Sequence, residues 1–344
     1  MRGLIVDKDL ELHIREMPVP AHNDYQALVK MVSGGICGTD LKVMHGILKG
    51  YGEYPAVLGH EGVGQVVEKG SKVCSFELGD YVLLPFLYGK TGDCVSTFGA
   101  FAEYGIVGDM QALLADGVKP GDALYDESYC AQSKLDPAID PVDGCMLITF
   151  REVYAAIKRF GIKRNDRIVV FGAGAVGLSF IRMCKLLGAD VIAVEVDGRK
   201  LGQAQNAGAD FVFDSHKVDI VAEVKKLYPS GANYVIDAAG APAVINDGLK
   251  MVTYDGKICC YGIAPQQKYE FDWSGAPYNW TMQFLQWPYK TEEGAVNGKI
   301  QEWVLDGALD TADFISDYFD FERSVDALKM LEAGRALKKI VIRF

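Results

Sequence analysis

The stretch Arg167–Gly177, RIVVFGAGAVG, decides how the chain is read. Ile168, Val169, Val170 and Phe171 make a short β-type run, and G-x-G-x-x-G follows directly at Gly172, Gly174 and Gly177. In that pattern the first glycine permits a tight turn and the second lets backbone approach a pyrophosphate. The third allows the next helix to pack close to the strand. The motif, with Ala175 and Val176 among its candidate cofactor contacts, opens a helix whose free N–H groups and dipole favour an anion. A second β-type run, Val191–Glu195, ends on a carboxylate 18 residues beyond Gly177. An acid there accepts hydrogen bonds from the ribose 2′-OH of NAD and repels a 2′-phosphate. Arg199 and Lys200 lie close behind and soften the preference for NAD over NADP. Lys200, Gly262 and Ile263 complete the candidate cofactor-binding set. Taken alone, such a glycine turn also serves other nucleotides, and Glu195 reads equally as a solvated acid.

Outward from this motif, strand and helix alternate. The pattern predicts a helix over Arg151–Phe160 and a strand over Arg167–Phe171, then helix Leu178–Leu187 and strand Val191–Glu195. Helix Lys200–Asn206, strand Phe211–Phe213, helix Val218–Leu227 and strand Tyr234–Asp237 continue it. Alternation at this spacing predicts a parallel doubly wound sheet. The first third instead reads as β-rich, with runs Ala27–Val32, Gly64–Val67 and Tyr81–Leu84 between Gly, Pro and Asp clusters. Helical patterns at Gly298–Leu305 and Phe321–Ala333 precede a closing strand, Lys339–Ile342. Residues 108–143 are rich in turn signals and acids and read as an irregular connection or lid. No internal repeat or flexible linker is seen.

A chain of 344 residues is longer than one typical domain, which predicts two. A net charge of −11 disfavours phosphate-backbone binding, which draws on clustered Lys and Arg. Acidic residues among the first apolar ones leave no signal-peptide core, and the longest apolar stretch, Ile168–Ile181, is too short to span a bilayer. The eight cysteines form no CxxC pair, which predicts reduced thiols in a cytoplasmic protein.

Two segments of the first third carry metal-type chemistry: Gly34-Gly-Ile-Cys37-Gly-Thr39-Asp40 and Gly59-His60-Glu61-Gly62-Val63-Gly64. Thiolate, imidazole and carboxylate are ligand types that zinc accepts, and three protein ligands with an open fourth position define a catalytic site. An open position lets zinc hold an alcohol oxygen and lower its pKa. Each residue alone has a plainer reading: Cys37 as a small core thiol, His60 as a hydrogen-bonded strand-end histidine, Glu61 as a surface acid. Their weight comes from occurring together with the nucleotide motif.

On these residues the chain resembles the zinc-containing medium-chain dehydrogenase/reductase family, and in site chemistry its sorbitol dehydrogenase-like polyol dehydrogenases. Gly59-His60-Glu61-x-x-Gly64, followed by Gly70 and Val73, matches the family's zinc signature, and Gly35-Ile-Cys37-Gly-Thr39-Asp40 fits its companion motif. The likeness runs through the closing Lys338-Lys-Ile-Val-Ile. It implies a GroES-like β-barrel catalytic domain over residues 1–147, completed by 291–344, around a Rossmann domain over 148–290. It implies that Cys37 and His60 are zinc ligands and that Thr39 takes the alcohol proton. Asp40 orients the zinc-bound histidine, and Glu61 is either a ligand, as in polyol dehydrogenases, or an acid beside the site. A homodimer or tetramer is implied as well.

Three departures from the family pattern matter. Ile148 stands where a further Cys, Asp or Glu usually serves as ligand, so Glu61 becomes the needed third ligand, with Cys145 and then His45 as substitutes. The four-cysteine structural-zinc lobe is absent, leaving Cys94 alone between Asp80 and Phe101, so one zinc per chain is expected. Lys42 replaces a common relay histidine, and the proton leaves through Lys42, His45 or water. The reading is therefore reversible hydride transfer between a small secondary alcohol (polyol, sugar or amino alcohol) and NAD, with Thr39 and Glu61 as catalytic residues. A zinc-free quinone or enoyl reductase of the same fold is the alternative within enzymes; retention of Cys37, His60 and Glu61 together argues against it. A non-catalytic nucleotide-binding redox sensor is the alternative outside them. The aromatic segment from Tyr278 to Tyr289 lines either a cleft, an oligomer contact or simply a core.

Overall fold

The computed structural model describes residues 1–96, 98–266 and 268–344. The chain divides into two compact units, Met1–Arg151 with Tyr289–Phe344, and Glu152–Pro288.

The first unit opens with strands β1 (Arg2–Val6), β2 (Leu12–Glu16) and β3 (Gln26–Ile36), then helix α1 (Gly38–Met44). Strands β4 (Ala56–Val57), β5 (Glu61–Lys69), β6 (Tyr81–Leu83), β7 (Lys90–Thr91), β8 (Cys94–Ser96) and β9 (Tyr104–Gly108) follow, then α2 (Met110–Ala115) and β10 (Ser133–Lys134). Helix α3 (Met146–Phe160) comes next, and the first unit is left within it, at Arg151. The 11-residue β3 organises this unit, pairing antiparallel with β5 and with β9. Its register against β5 shifts between Leu28 and Val29 and again between Met31 and Ser33. Such bulges bend a strand. Ala27, Val29 and Met31 pack with Val66, Val82 and Val107 in a buried cluster beneath it. The end of β3 therefore arrives on a fixed support at Cys37.

The second unit carries β11 (Arg167–Phe171), α4 (Ala175–Leu186), β12 (Asp190–Glu195), α5 (Leu201–Asn206), β13 (Phe211–Asp214), α6 (Ile220–Leu227) and β14 (Ala232–Asp237). It closes with α7 (Ala243–Met251), β15 (Val252–Cys260) and β16 (Trp280–Phe284). The strands form one parallel sheet in the order β13-β12-β11-β14-β15-β16. Reversal of direction at β11 is the doubly wound arrangement, and ligands bind beyond the strand ends at that point. Both faces of the central strands are buried: Ile168, Val169 and Val170 are fully covered. That explains why β11 reads as a continuous apolar run rather than an alternating one.

The chain then re-enters the first unit through α8 (Lys290–Leu305), β17 (Ile315–Asp320), α9 (Ser324–Glu332) and β18 (Lys339–Arg343). Strand β18 pairs antiparallel with β3, Ile340 opposite Ile36 and Val341 opposite Gly35. No helix among the described residues is long and apolar enough to cross a membrane.

Several elements depart from the pattern-based expectation. Helix α3 starts at Met146 rather than Arg151, because the turn Asp143–Cys145 runs straight into the buried stretch Met146–Phe150. Helix α8 starts at Lys290 rather than Gly298. Tyr289 and Glu292 form a capping box, with the Tyr289 N–H donating to Glu292 Oε2 at 3.1 Å. Residues 108–143 are more than a connection: Ser133 pairs with Leu83, adding β10 to the sheet edge. Asp109 caps α2 and takes the N–H groups of Cys74 and Ser75, each at 2.7 Å.

Candidate metal centre and dinucleotide turn

Cys37 stands between β3 and α1 as the helix N-cap, and His60 immediately precedes β5. One side chain ties these two chain segments together. Asp40 Oδ2 accepts the Cys37 N–H at 2.9 Å, and Oδ1 accepts the Gly59 N–H at 3.2 Å. The same Oδ1 lies 3.4 Å from His60 Nδ1. Asp40 is buried, as are His60 and Glu61. Burial pulls the His60 imidazolium down, but Asp40, with Cys37 adding to it, outweighs burial and holds the ring well above the usual histidine value. A carboxylate on one ring nitrogen sets the other nitrogen as the ligand atom, the usual support of a metal-bound histidine.

Glu61 opens β5 opposite Gly35 of β3. A side chain at Gly35 would place its Cβ 2.5 Å from Glu61 Oε2, so only glycine leaves room for the carboxylate here. The Glu61 carboxylate is held from two sides. Thr149 donates its hydroxyl to Oε1 at 3.1 Å, and the Lys339 ammonium lies 2.5 Å from Oε2. Lys339 is itself buried at the start of β18. Burial would lower its pKa, but the Glu61 charge, with Cys37 adding, more than offsets this and keeps it protonated.

Cys37, His60 and Glu61 each offer a ligand atom, and these atoms lie within 4.8 Å of one another. Among the described residues this is the one group of three or more His, Cys, Asp and Glu side chains so placed. The donor set fits zinc by type, since thiolate, imidazole and carboxylate oxygen are its usual partners. The carboxylates of Asp40 and Glu61 and the thiol of Cys37 also gather acidic groups around one point, which suits a dication. Carboxylate oxygens carry two acceptor sites each, so Thr149 and Lys339 leave capacity on Glu61. Thr39 is buried in the first turn of α1, its Oγ1 3.8 Å from Cys37 Sγ.

The other candidates lie elsewhere. Ile148 is fully buried in an apolar cluster with Leu84, Phe86 and Ala131. Cys145 donates its thiol to the Val142 carbonyl at 3.3 Å, and burial pushes it up to about 12, so it stays a thiol. His45 points to Glu332 at 2.9 Å on a half-exposed surface. Lys42 donates to the Gly38 carbonyl at 3.3 Å, and burial lowers its pKa against the pull of Cys37 and Asp40. Cys94 accepts from Arg15 at 2.6 Å. Thr149 and Lys339 are the functional candidates that sequence reasoning passed over. The signal for Lys339 was present: a lysine opening an apolar β-run needs a buried partner.

In the second unit, Gly172 takes a left-handed backbone, φ +99°. A Cβ on Gly177 would fall on the Gly172 carbonyl oxygen, so the helix can pack this close only with glycine. Ala175 and Val176 form the first turn of α4, whose N-cap is Gly174. Glu195 sits beside this turn, buried at the end of β12. It accepts the Ala173 N–H at 2.6 Å and those of Val196 and Asp197 at 2.8 and 3.0 Å. Lys200 is the N-cap of α5. Gly262 follows β15, donating its N–H to the Asp237 carbonyl at 2.8 Å and accepting from Gln286 at 2.9 Å, and Ile263 is half-buried next to it.

A GroES-like sheet unit with a Cys–His–Glu cluster, together with a doubly wound unit carrying a glycine-rich turn, defines a class: two-unit, metal-site dehydrogenases. Comparison with known proteins agrees. Residues 23–125 match the alcohol dehydrogenase GroES-like domain, and residues 175–281 match the zinc-binding dehydrogenase domain. An alcohol dehydrogenase of Geobacillus stearothermophilus is 31% identical over 261 residues, covering 73% of this chain and 74% of that protein. Among solved structures, 2R,3R-butanediol dehydrogenase from Bacillus subtilis has a TM-score of 0.80 at 20% identity, over 100% of this chain and 99% of that one. An alcohol dehydrogenase from E. coli CFT073, complexed with NADH, has a TM-score of 0.81 at 20% identity over 100% and 99%. The chain belongs to the zinc-containing medium-chain dehydrogenase/reductase family and is an oxidoreductase of the alcohol dehydrogenase type.

Proposed function

We propose that the chain catalyses reversible hydride transfer between a small secondary alcohol, a polyol among the candidates, and NAD. The observation that carries this reading is the convergence of Cys37, His60 and Glu61 next to Thr39. Cys37, His60 and Glu61 would hold one zinc ion. Zinc, when bound, polarises the substrate hydroxyl and favours loss of its proton. Asp40 fixes the His60 ring, and Thr39 receives the alcohol proton. The Gly172–Gly177 turn, with Ala175 and Val176, would seat the pyrophosphate. Glu195 and Lys200 would meet the adenosine ribose, and Gly262 and Ile263 complete the cofactor contacts. Hydride chemistry belongs to the cofactor, for which the protein supplies binding and orientation. The polyol preference rests on Glu61 beside His60, the arrangement that the family resemblance associates with polyol dehydrogenases, and on the apolar Ile148. The same resemblance points to a homo-oligomer.

The test is NADH formation, followed by absorbance, with zinc-loaded protein and a panel of secondary alcohols. Metal content should be about one zinc per chain. Protein that takes up no zinc and reduces no NAD with any alcohol in the panel sinks the reading.

Cofactor preference supplies a second expected result. NAD should be used better than NADP, because Glu195 places a carboxylate where a 2′-phosphate would lie. Glu195→Gln keeps an acceptor for the Ala173 amide but removes the charge. It should narrow the NAD/NADP ratio of kcat/KM by about tenfold, the size of a screened repulsion of ~1.4 kcal/mol. A wild-type enzyme that favours NADP turns attention to Arg199 and Lys200.

A further inference from the structure

The carboxyl ends of β11, β14 and β15 lie side by side and carry one charged side chain. Phe171, Asp237 and Cys260 stand abreast in the register, so Asp237 has an uncharged neighbour on either strand. It is 3% exposed. Its Oδ1 accepts the N–H groups of Ala239, Gly240 and Ala241 at 3.0, 2.8 and 3.3 Å, and among the described residues Oδ2 takes no hydrogen bond. Burial pushes its pKa up and the three amides pull it down, with no lysine, arginine or histidine taking part. Buried carboxylates are ordinarily paired with a cation. This one has amides on one oxygen and, among the described residues, no counter-ion.

Asp237 also fixes the surface around it. Its carbonyl oxygen accepts the N–H groups of Tyr261 and Gly262 at 3.1 and 2.8 Å. A Cβ on Gly262 would fall on the Gly240 amide nitrogen, so the chain after β14 and the chain after β15 touch backbone to backbone. The carboxylate is therefore held in place before any ligand arrives. Two helices begin at this edge, and their N-termini differ. That of α4 has Gly174 as N-cap and no side-chain cap, which leaves it open to an anion. The amides ahead of Pro242, the N-cap of α7, are already taken by Asp237.

NAD carries the matching pair of charges: an anionic pyrophosphate and, in the oxidised form only, a cationic nicotinamide ring. With Glu195 at the end of β12 meeting the adenosine ribose, a dinucleotide laid across the switch point puts its nicotinamide half beyond β11, over β14 and β15. We propose, resting on the NAD reading above, that Asp237 discriminates between the two redox states of the cofactor, its fixed charge favouring the cationic oxidised ring over the neutral reduced one.

Calorimetric titration of NAD and of NADH into zinc-loaded protein, without alcohol, reads this as a ratio of two affinities. Asp237→Asn keeps an oxygen for the three amides and removes the charge. It should weaken NAD binding about tenfold relative to NADH, the size of one screened charge–charge interaction. Asp237→Glu keeps the charge, and its ratio should stay within about twofold of wild type even where a displaced loop weakens both cofactors. A purely structural role would weaken the two cofactors equally in every variant, and the ratio would not move. An unchanged ratio in Asp237→Asn, or a shift in Asp237→Glu as large as that in Asp237→Asn, overturns the proposal and leaves the NAD reading intact. Wild-type protein that binds neither NAD nor NADH would instead remove that reading.

Discussion

Thr39→Val is expected to cost about 10²–10⁴-fold in kcat while the protein keeps its fold and its zinc. The two side chains have nearly the same shape, and Thr39 is buried in the first turn of α1 without contributing a ligand atom to the cluster. What the substitution removes is the hydroxyl 3.8 Å from Cys37 Sγ, the atom proposed to take a proton from an alcohol at this centre. A residue that only packs would show a stability change and little else. A proton acceptor shows a collapse of kcat with the metal retained. Steady-state rates together with elemental zinc analysis on the same preparation separate the two. Lys42→Met is the comparison, because Lys42 Nζ donates to the Gly38 carbonyl and acts on Cys37 and Asp40 only through its charge. Its effect should be well below that of Thr39→Val. Wild-type turnover in Thr39→Val would rule out the hydroxyl as the proton's first stop.

The doubly wound unit was legible because its signals are local. A β-branched run, three glycines at fixed offsets and an acid closing the next run each constrain a few neighbouring residues. The strand Arg167–Phe171 stands where the pattern put it. The later elements of that unit were missed. Strand β15 carries a left-handed Asp255 followed by Gly256, which breaks the apolar run that would have announced it. Helix α8 was read eight residues short because Gly294 and Gly298 interrupt its pattern. In the fold, a side chain at Gly294 would run into the Cys130 carbonyl, so that glycine marks close packing rather than a helix end. The metal-site candidates were legible as residue types in two short segments, and the structure brings Cys37, His60 and Glu61 together. What surrounds Glu61 was not legible. Lys339 is 278 positions away in sequence and reaches the carboxylate only because β18 pairs with β3. Thr149 is a lone hydroxyl in the buried run Met146–Phe150, and a single polar residue in such a run carries no pattern that names its partner. Long-range pairing of this kind has no periodicity to read.

The Glu61–Lys339 pair leads to the second large expectation, which concerns stability as well as metal binding. Both side chains are almost completely buried, so removing either partner leaves a charge in a low-dielectric site. Such a loss typically costs about 3–5 kcal/mol. Lys339→Met should therefore destabilise the zinc-free protein by roughly that amount, since among the described residues only Thr149 is then left to hydrogen-bond the Glu61 carboxylate. Zinc should restore much of it, because a dication beside Cys37 and Glu61 replaces the missing positive charge. The rise in Tm on adding zinc should thus be larger for Lys339→Met than for wild type. Glu61→Gln should act in the opposite sense: the Lys339 ammonium is left unpaired and disfavours any nearby cation. That variant should be destabilised without zinc, gain little stability from it, and release metal on mild chelation, since a neutral amide is a poorer zinc ligand than a carboxylate. The double variant carries no buried charge at this position and should be more stable, when zinc-free, than either single one. The coupling between the two changes is then the measurable signature of the pair. Thermal melts of all four proteins, with and without zinc, supply the cycle. Additive effects would show that the two side chains do not depend on each other. Firm zinc retention by Glu61→Gln would place Glu61 beside the metal rather than on it, held there by Lys339 and Thr149, and leave Cys37 and His60 as the protein ligands.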